Sequence, residues 1–123
     1  MPETLRLRHD LSSPAHARRW IRSWCVRWGC ADVVEDAVLL VSELTTNAVL
    51  HARSECRIEA DYTCPQLVVS VIDGMPGEVP PADSSREHHG RGLEIVASIA
   101  DRWGVTQTHG GKAIWFTLIS QHR

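Results

Sequence analysis

Apolar and polar residues alternate at the start of the chain and then change to a helical period. Residues 3–9 alternate with period two, which predicts a half-exposed edge strand. Ser13 and Pro14 follow as a cap and as a proline at the first helical position, and Gly29 is a typical helix end. The pattern therefore predicts a strand followed by a helix from about Ser13 to Trp28.

Three tryptophans stand at four-residue steps along this first helix. Trp20, Trp24 and Trp28 share one face because residues four apart are neighbours on a helix surface. Such an aromatic ridge is more typical of core or interface packing than of ligand stacking. The pattern is compatible with a homodimer through an exposed face of this helix or through the amino-terminal strand, and it does not choose between them.

A second helix of about 20 residues is predicted next. Asp32 and Glu35 have the spacing of a capping box at its start. Apolar residues recur at three- and four-residue steps and form its core face: Val34, Ala37, Val38, Val41, Leu44, Ala48 and Val49. Glu43, Asn47 and His51 border that face, since an i, i+4, i+8 series drifts only about 80° around a helix. This stripe is either a solvated helix surface or a site.

Two short apolar segments after the second helix predict a hairpin. Residues 56–61 and 67–73 are the strands, and Pro65 favours a turn between them. Residues 74–90 have no periodic pattern and are rich in glycine, proline and serine. A segment of this length is usually a lid, a binding loop or a disordered piece.

The last part of the chain predicts one more helix and a second hairpin. The helix begins near Gly92 and stops around residues 103–104, and residues 105–109 and 113–119 pair across a Gly110–Gly111 turn. This order of elements predicts an α+β fold, a two-layer α/β sandwich in which a mixed, mostly antiparallel sheet carries helices on one face.

Length and composition indicate one ordinary globular domain over residues 1–123. The chain has 123 residues, 43% of them apolar, and a formal net charge of -2. No broad basic surface is expected, so nucleic acid is not an expected direct partner. No apolar run approaches the roughly 18 residues of a membrane span, and the first residues lack a signal-peptide pattern. A cytoplasmic location without membrane contact is the expectation.

The four cysteines do not have the spacing of a zinc site. Cys25, Cys30, Cys56 and Cys64 form no Cys-x2-Cys knuckle, and no matching histidine pair accompanies them. Reduced and packed thiols are therefore predicted.

Three short motifs combine residue types that suit a nucleotide. Glu43 lies four residues before Asn47, and Asp73 ends an apolar strand at a turn that contains Gly77. The third motif opens the last helix and consists of Gly90, Arg91, Gly92 and Leu93. Glycines allow close approach of a phosphate, and the first N–H groups of a helix carry partial positive charge. The P-loop and Rossmann patterns are absent.

In this order the motifs resemble the N, G1 and G2 boxes of the GHKL ATPase superfamily, which includes gyrase B, MutL and the sensor histidine kinases. The likeness is greatest to its small anti-sigma-factor serine/threonine kinases of the RsbW type. The resemblance implies the superfamily's Bergerat ATP-binding fold, with ATP and magnesium as cofactors. It implies that Glu43 is the general base, that Asn47 binds magnesium and that Asp73 accepts a hydrogen bond from the exocyclic amine of adenine. It assigns the rest of the nucleotide to Gly77, Gly90, Arg91, Gly92 and Leu93.

The resemblance also implies a function. The chain would phosphorylate an anti-sigma-factor antagonist of the STAS type and could sequester a sigma factor. Met75 stands in place of a glycine of the G1 box, and Ala113 stands where many relatives have a threonine. These departures leave open a non-catalytic module that binds its partner in a nucleotide-dependent way. A detached histidine-kinase catalytic domain is a second alternative. The role of His51 is open as well.

Overall fold

The computed structural model describes residues 2–52, 55–74, 90–108 and 111–121. In chain order the elements are β1 (Glu3–Leu7), α1 (Ser13–Trp28), a 3₁₀ turn (Ala31–Val33), α2 (Val34–Asn47), a π-helical turn (Ala48–Ala52), β2 (Cys56–Thr63), β3 (Gln66–Asp73), α3 (Gly90–Ile99), β4 (Arg102–Thr108) and β5 (Gly111–Ile119).

The five strands form one sheet in the order β1-β2-β3-β5-β4. Each neighbouring pair of described strands is antiparallel. The predicted α+β sandwich is thereby confirmed, and the sheet that the sequence predicted to be mixed but mostly antiparallel has only antiparallel pairs among its described strands. The two predicted hairpins are both present, with strands longer than expected. β3 and β5 are inner strands, so the residues at their ends are held by neighbours on both sides.

The helices cover one face of the sheet. Alternate residues of β3 and β5, such as Val69 and Phe116, are fully buried against them. α1 packs along α2, and α2 contacts both β3 and α3. Trp24 is buried in this core and Trp28 is exposed, so the tryptophan ridge packs inward at its centre and ends at the surface. Burial of each large apolar side chain contributes about 1.5–3 kcal/mol.

Two contacts fix the direction of α2 across the sheet. At its start the Asp32 carboxylate accepts hydrogen bonds from the Ser120 hydroxyl and the Gln121 main-chain N–H, both at 2.6 Å. At its far end His9, just after β1, donates from Nε2 to the main-chain oxygen of Val49 at 2.7 Å. The imidazole must carry its proton on Nε2, because a carbonyl oxygen only accepts. The carboxyl end of α2 therefore lies at the end of the sheet where β1 and β3 stop.

Several predicted boundaries are wrong for physical reasons. Asp32 makes no capping box, because its carboxylate is bound to the far end of β5. Ser13 is not the cap either: its hydroxyl donates to the Arg8 carbonyl at 2.6 Å, and Ser12 takes the N-cap position. The predicted α-helix through His51 changes to a π-helical turn after Asn47.

The third helix ends earlier than predicted. α3 stops at Ile99, and Trp103 and Gly104 belong to β4. Gly104 reads as a helix stop in the sequence, but it is a strand residue beneath the indole of Trp115, whose Cζ2 would lie 2.7 Å from an added β-carbon. The glycine therefore serves the packing of a ring and not the end of a helix.

Candidate nucleotide-binding site

The three motifs lie at the same end of the sheet. Asp73 is the last residue of β3 and lies at the same end of the sheet as the carboxyl end of α2. α3 ends near Asp101, whose N–H donates to the Thr117 carbonyl at the opposite end. Its ten residues rise roughly 15 Å, at about 1.5 Å per residue, which brings Gly90 back toward Asp73. The three motifs, which are far apart in the sequence, thus stand at the carboxyl end of α2, the end of β3 and the start of α3, toward one end of the domain.

Glu43 and Asn47 occupy the last turn and a half of α2. Both are half-buried, while Leu44 between them is buried in the core. The stripe predicted at the border of the core is confirmed for these two residues. Asn47 is the last α-helical residue, and the π-helical turn begins directly after it. Such π turns occur frequently at functional sites, and here His9 holds the carbonyl of Val49 within it.

Asp73 is a buried carboxylate with a cationic partner. Its residue is 8% exposed, and Oδ2 lies 3.0 Å from Nζ of Lys112, whose side chain is 19% exposed. The two residues are Cα partners in the β3–β5 ladder. A buried charge is costly unless it is paired, and Lys112 supplies the pairing charge.

Gly111 allows the backbone to close tightly behind Asp73. A β-carbon added at Gly111 would overlap the main-chain oxygen of Asp73 and would lie 3.2 Å from Cα of Gly74. Only a residue without a side chain fits, so Gly111 determines how closely the start of β5 approaches the end of β3.

The glycine motif forms the first turn of α3, as predicted. Gly90 is the first helical residue, and Leu93 is buried in the core at 4% exposure. Leu93 therefore anchors the turn, while the unpaired N–H groups of a helix start are suited to an anion. Gly77 and Met75 lie outside the described residues, as do the side chains of Arg91 and His51.

Cys56 lies next to Asp73 across the β2–β3 ladder and reports on the polarity of this end. Burial, with a smaller contribution from the Asp73 charge, raises the pKa of the Cys56 thiol to about 11. Burial also raises the pKa of Cys25 and of Cys30. The predicted packing of the thiols is confirmed for these three residues and is wrong for Cys64, which is exposed.

Native-state alkylation is expected to distinguish the cysteines. Because the thiolate is the reactive form and burial blocks access, iodoacetamide at pH 8 should modify Cys64 alone, and all four cysteines in urea. Modification of Cys56 should accelerate as the pH rises toward its pKa of about 11. Peptide mass spectrometry measures each site. Rapid modification of Cys56 at pH 8 would contradict the buried environment beside Asp73.

Sequence reasoning did not identify Lys112, Gly111 or His9 as site residues. Lys112 is the only lysine among the 13 lysine and arginine residues, which makes it conspicuous in the sequence but does not indicate where it lies in the fold. Its role depends on the register that sets it opposite Asp73, and His9 contacts Val49 across 40 residues. The pairing register of β3 and β5 would have identified Lys112 as the partner of Asp73. No local sequence signal indicates the contact of His9 with Val49.

An antiparallel sheet covered on one face by helices, with these motifs at one end, is the architecture of a class of ATP-binding domains. The sequence profile of the Histidine kinase-like ATPase domain matches residues 7–118, and the chain belongs to that family. This confirms the resemblance to the GHKL superfamily and implies that the domain binds ATP.

One solved structure shows the same fold at low sequence identity. It contains the RsbU and RsbW domains of Rv1364c from Mycobacterium tuberculosis, with a TM-score of 0.73 and 19% identity. The match covers 98% of this chain and 33% of that chain, so this chain spans about a third of its length. No curated protein matches this chain in sequence. Within the described residues, no helix is long and apolar enough to cross a membrane.

Proposed function

We propose that the chain is a single ATP-binding domain over residues 1–123 and an ATP-dependent protein serine/threonine kinase. Its substrate is an anti-sigma-factor antagonist of the STAS type, and it also sequesters a sigma factor. One observation carries the proposal: Glu43 and Asn47 lie one turn apart on α2, whose carboxyl end lies at the same end of the sheet as Asp73, the last residue of β3. One end of the domain thus carries the Glu43 carboxylate, which can accept a hydroxyl proton, the Asn47 amide oxygen, and the Asp73 carboxylate, which can recognise adenine.

Each residue of the site has a role that its chemistry allows. Glu43 accepts the proton of the attacking serine or threonine hydroxyl, whose oxygen forms a bond to the γ-phosphorus as the bond to the bridging oxygen of ADP breaks. Asp73 accepts a hydrogen bond from the exocyclic amine of adenine. The main-chain N–H groups at the start of α3 bind phosphate, with Gly90 and Gly92 leaving room for it.

The residues present fit magnesium and ATP. Asn47 is half-buried at the end of α2 and offers an amide oxygen, a hard ligand of the kind that magnesium accepts alongside substrate phosphates. When bound, the ion neutralises phosphate charge. Gly77 and Arg91 are proposed nucleotide contacts from their places in the motifs.

Adenine recognition by Asp73 can be tested by calorimetry. ATP with magnesium is expected to bind the wild-type chain, and Asp73→Asn should weaken that binding about tenfold to a hundredfold, because the charged acceptor is replaced by a neutral amide oxygen that accepts a weaker hydrogen bond. GTP should bind far more weakly than ATP, since guanine presents an oxygen where adenine presents its amine.

Asp61→Asn is the matched control. Asp61 lies on β2, pairs with Val68, and has the alternation of the sheet face away from the helices, so its variant should bind ATP like the wild type. Equal affinity of the wild type and Asp73→Asn for ATP would contradict the assigned role of Asp73. Absence of any heat with ATP and magnesium would overturn the proposed function itself.

A further inference from the structure

The buried end of β3 presents two charges and not one. Asp73 and Lys112 are partners on the two inner strands, in line with Val71 and Ile114, whose side chains point toward the helices. The Lys112 ammonium lies 3.0 Å from Oδ2 of Asp73, and the Lys112 side chain as a whole is largely buried. Both charges are held by central strands of the sheet, so a ligand that reaches Asp73 also meets Lys112.

The two groups have opposite hydrogen-bonding character. A carboxylate only accepts hydrogen bonds and an ammonium only donates them. The Watson–Crick edge of adenine shows the complementary pair, because its exocyclic N6 amine donates and the neighbouring ring nitrogen N1 accepts. Asp73 alone can satisfy the amine but has no proton to give to N1. Lys112 carries three N–H donors, of which Asp73 uses one in this ion pair.

We infer that Lys112 is a specificity-determining residue that donates a hydrogen bond to N1 of adenine while Asp73 accepts one from N6. The inference rests on the proposed function, since it assumes that adenine lies against Asp73. Guanine reverses the pattern, with an acceptor at C6 and a donor at N1, so the same pose would set oxygen against carboxylate and N–H against ammonium. Lys112 thereby strengthens the discrimination between ATP and GTP.

Chemical deletion of single ring nitrogens tests this contact without altering the protein. Calorimetry with magnesium would compare ATP, 1-deaza-ATP and 7-deaza-ATP on the wild-type chain. Loss of a charge-assisted hydrogen bond should make 1-deaza-ATP bind about tenfold more weakly than ATP, while 7-deaza-ATP should bind like ATP. Equal binding of ATP and 1-deaza-ATP, or a loss confined to 7-deaza-ATP, would overturn the contact with N1.

The Lys112→Met variant completes a cycle that separates recognition from structure. If Lys112 only stabilised the buried Asp73, its removal would weaken ATP and 1-deaza-ATP equally. The inference instead predicts that the tenfold preference for ATP over 1-deaza-ATP disappears in Lys112→Met. Arg57→Met is the matched control, because Arg57 is a strand cation in a more exposed pair with Glu59 at 3.5 Å, and it should keep the preference.

The outcomes distinguish the inference from the proposed function. ATP binding with no preference over 1-deaza-ATP in the wild type overturns the role of Lys112 alone. A preference that persists unchanged in Lys112→Met also overturns it. Absence of ATP binding in the wild type overturns the proposed function and this inference together. A Lys112→Met chain that does not fold leaves the wild-type comparison decisive.

Discussion

Glu43→Gln is expected to lower phosphoryl transfer about 10²–10⁴-fold while ATP affinity stays close to that of the wild type. Removal of a general base costs a factor of this size, and glutamine keeps the shape of the side chain but cannot take the hydroxyl proton. Glu43 is half-buried one turn before Asn47, so it can face a reacting hydroxyl without being part of the adenine pocket around Asp73. A loss in turnover without a loss in nucleotide binding is typical of an interaction made only in the transition state.

The assay follows labelled γ-phosphate from ATP into purified STAS-domain proteins, with calorimetry of ATP binding alongside. Glu35→Gln is the control on the same helix: Glu35 lies at the other end of α2 in an exposed ion pair with Arg22 at 2.8 Å, and its variant should transfer phosphate normally. Undiminished transfer in Glu43→Gln would contradict the catalytic role. ATP-dependent partner binding by the wild type with no phosphorylated product would favour the non-catalytic module.

The periodic elements of the fold could be predicted because their signals are local. α1 has a glycine at its end with φ +86°, the left-handed conformation that glycine adopts readily, and the sequence marks this end clearly. The β2–β3 hairpin follows from two apolar segments around Pro65. Asp73 was placed correctly at the end of a strand, and the glycine motif was placed at the start of a helix that begins at Gly90, two residues before the predicted start near Gly92, because strand ends and glycine-rich helix starts have local signals.

The features that sequence reasoning missed all depend on contacts between distant parts of the chain. Asp32 forms hydrogen bonds with Ser120 and Gln121 from the far end of β5, which removes it from the cap that its local pattern predicts. The π-helical turn after Asn47 has an ordinary helix-forming composition and is held by His9 from a separate segment. Lys112 becomes a site residue only through the strand register.

Gly111→Ala is expected to destabilise the domain by about 3 kcal/mol, because the added methyl group meets main-chain atoms that cannot rotate away. The overlap is with the carbonyl oxygen of Asp73 itself, so the clash is removed only if β5 moves away from β3 at the end where adenine is proposed to bind. Lys112 follows Gly111 directly and would move with it. ATP affinity should therefore fall in the fraction that remains folded.

Urea unfolding measures the first effect and calorimetry the second. Gly29→Ala is the matched control, since Gly29 has φ +86° but no atom within 4 Å of an added β-carbon. Its cost is backbone strain of about 1–2 kcal/mol, at a position beyond α1 and remote in the fold from Asp73, so ATP affinity should be unchanged. If Gly111→Ala costs no more than Gly29→Ala and binds ATP normally, the close approach of β5 to Asp73 is not what shapes this end of the site. If Gly111→Ala loses both stability and ATP affinity, the packing of Gly111 against the Asp73 carbonyl determines where the charged groups of Asp73 and Lys112 lie.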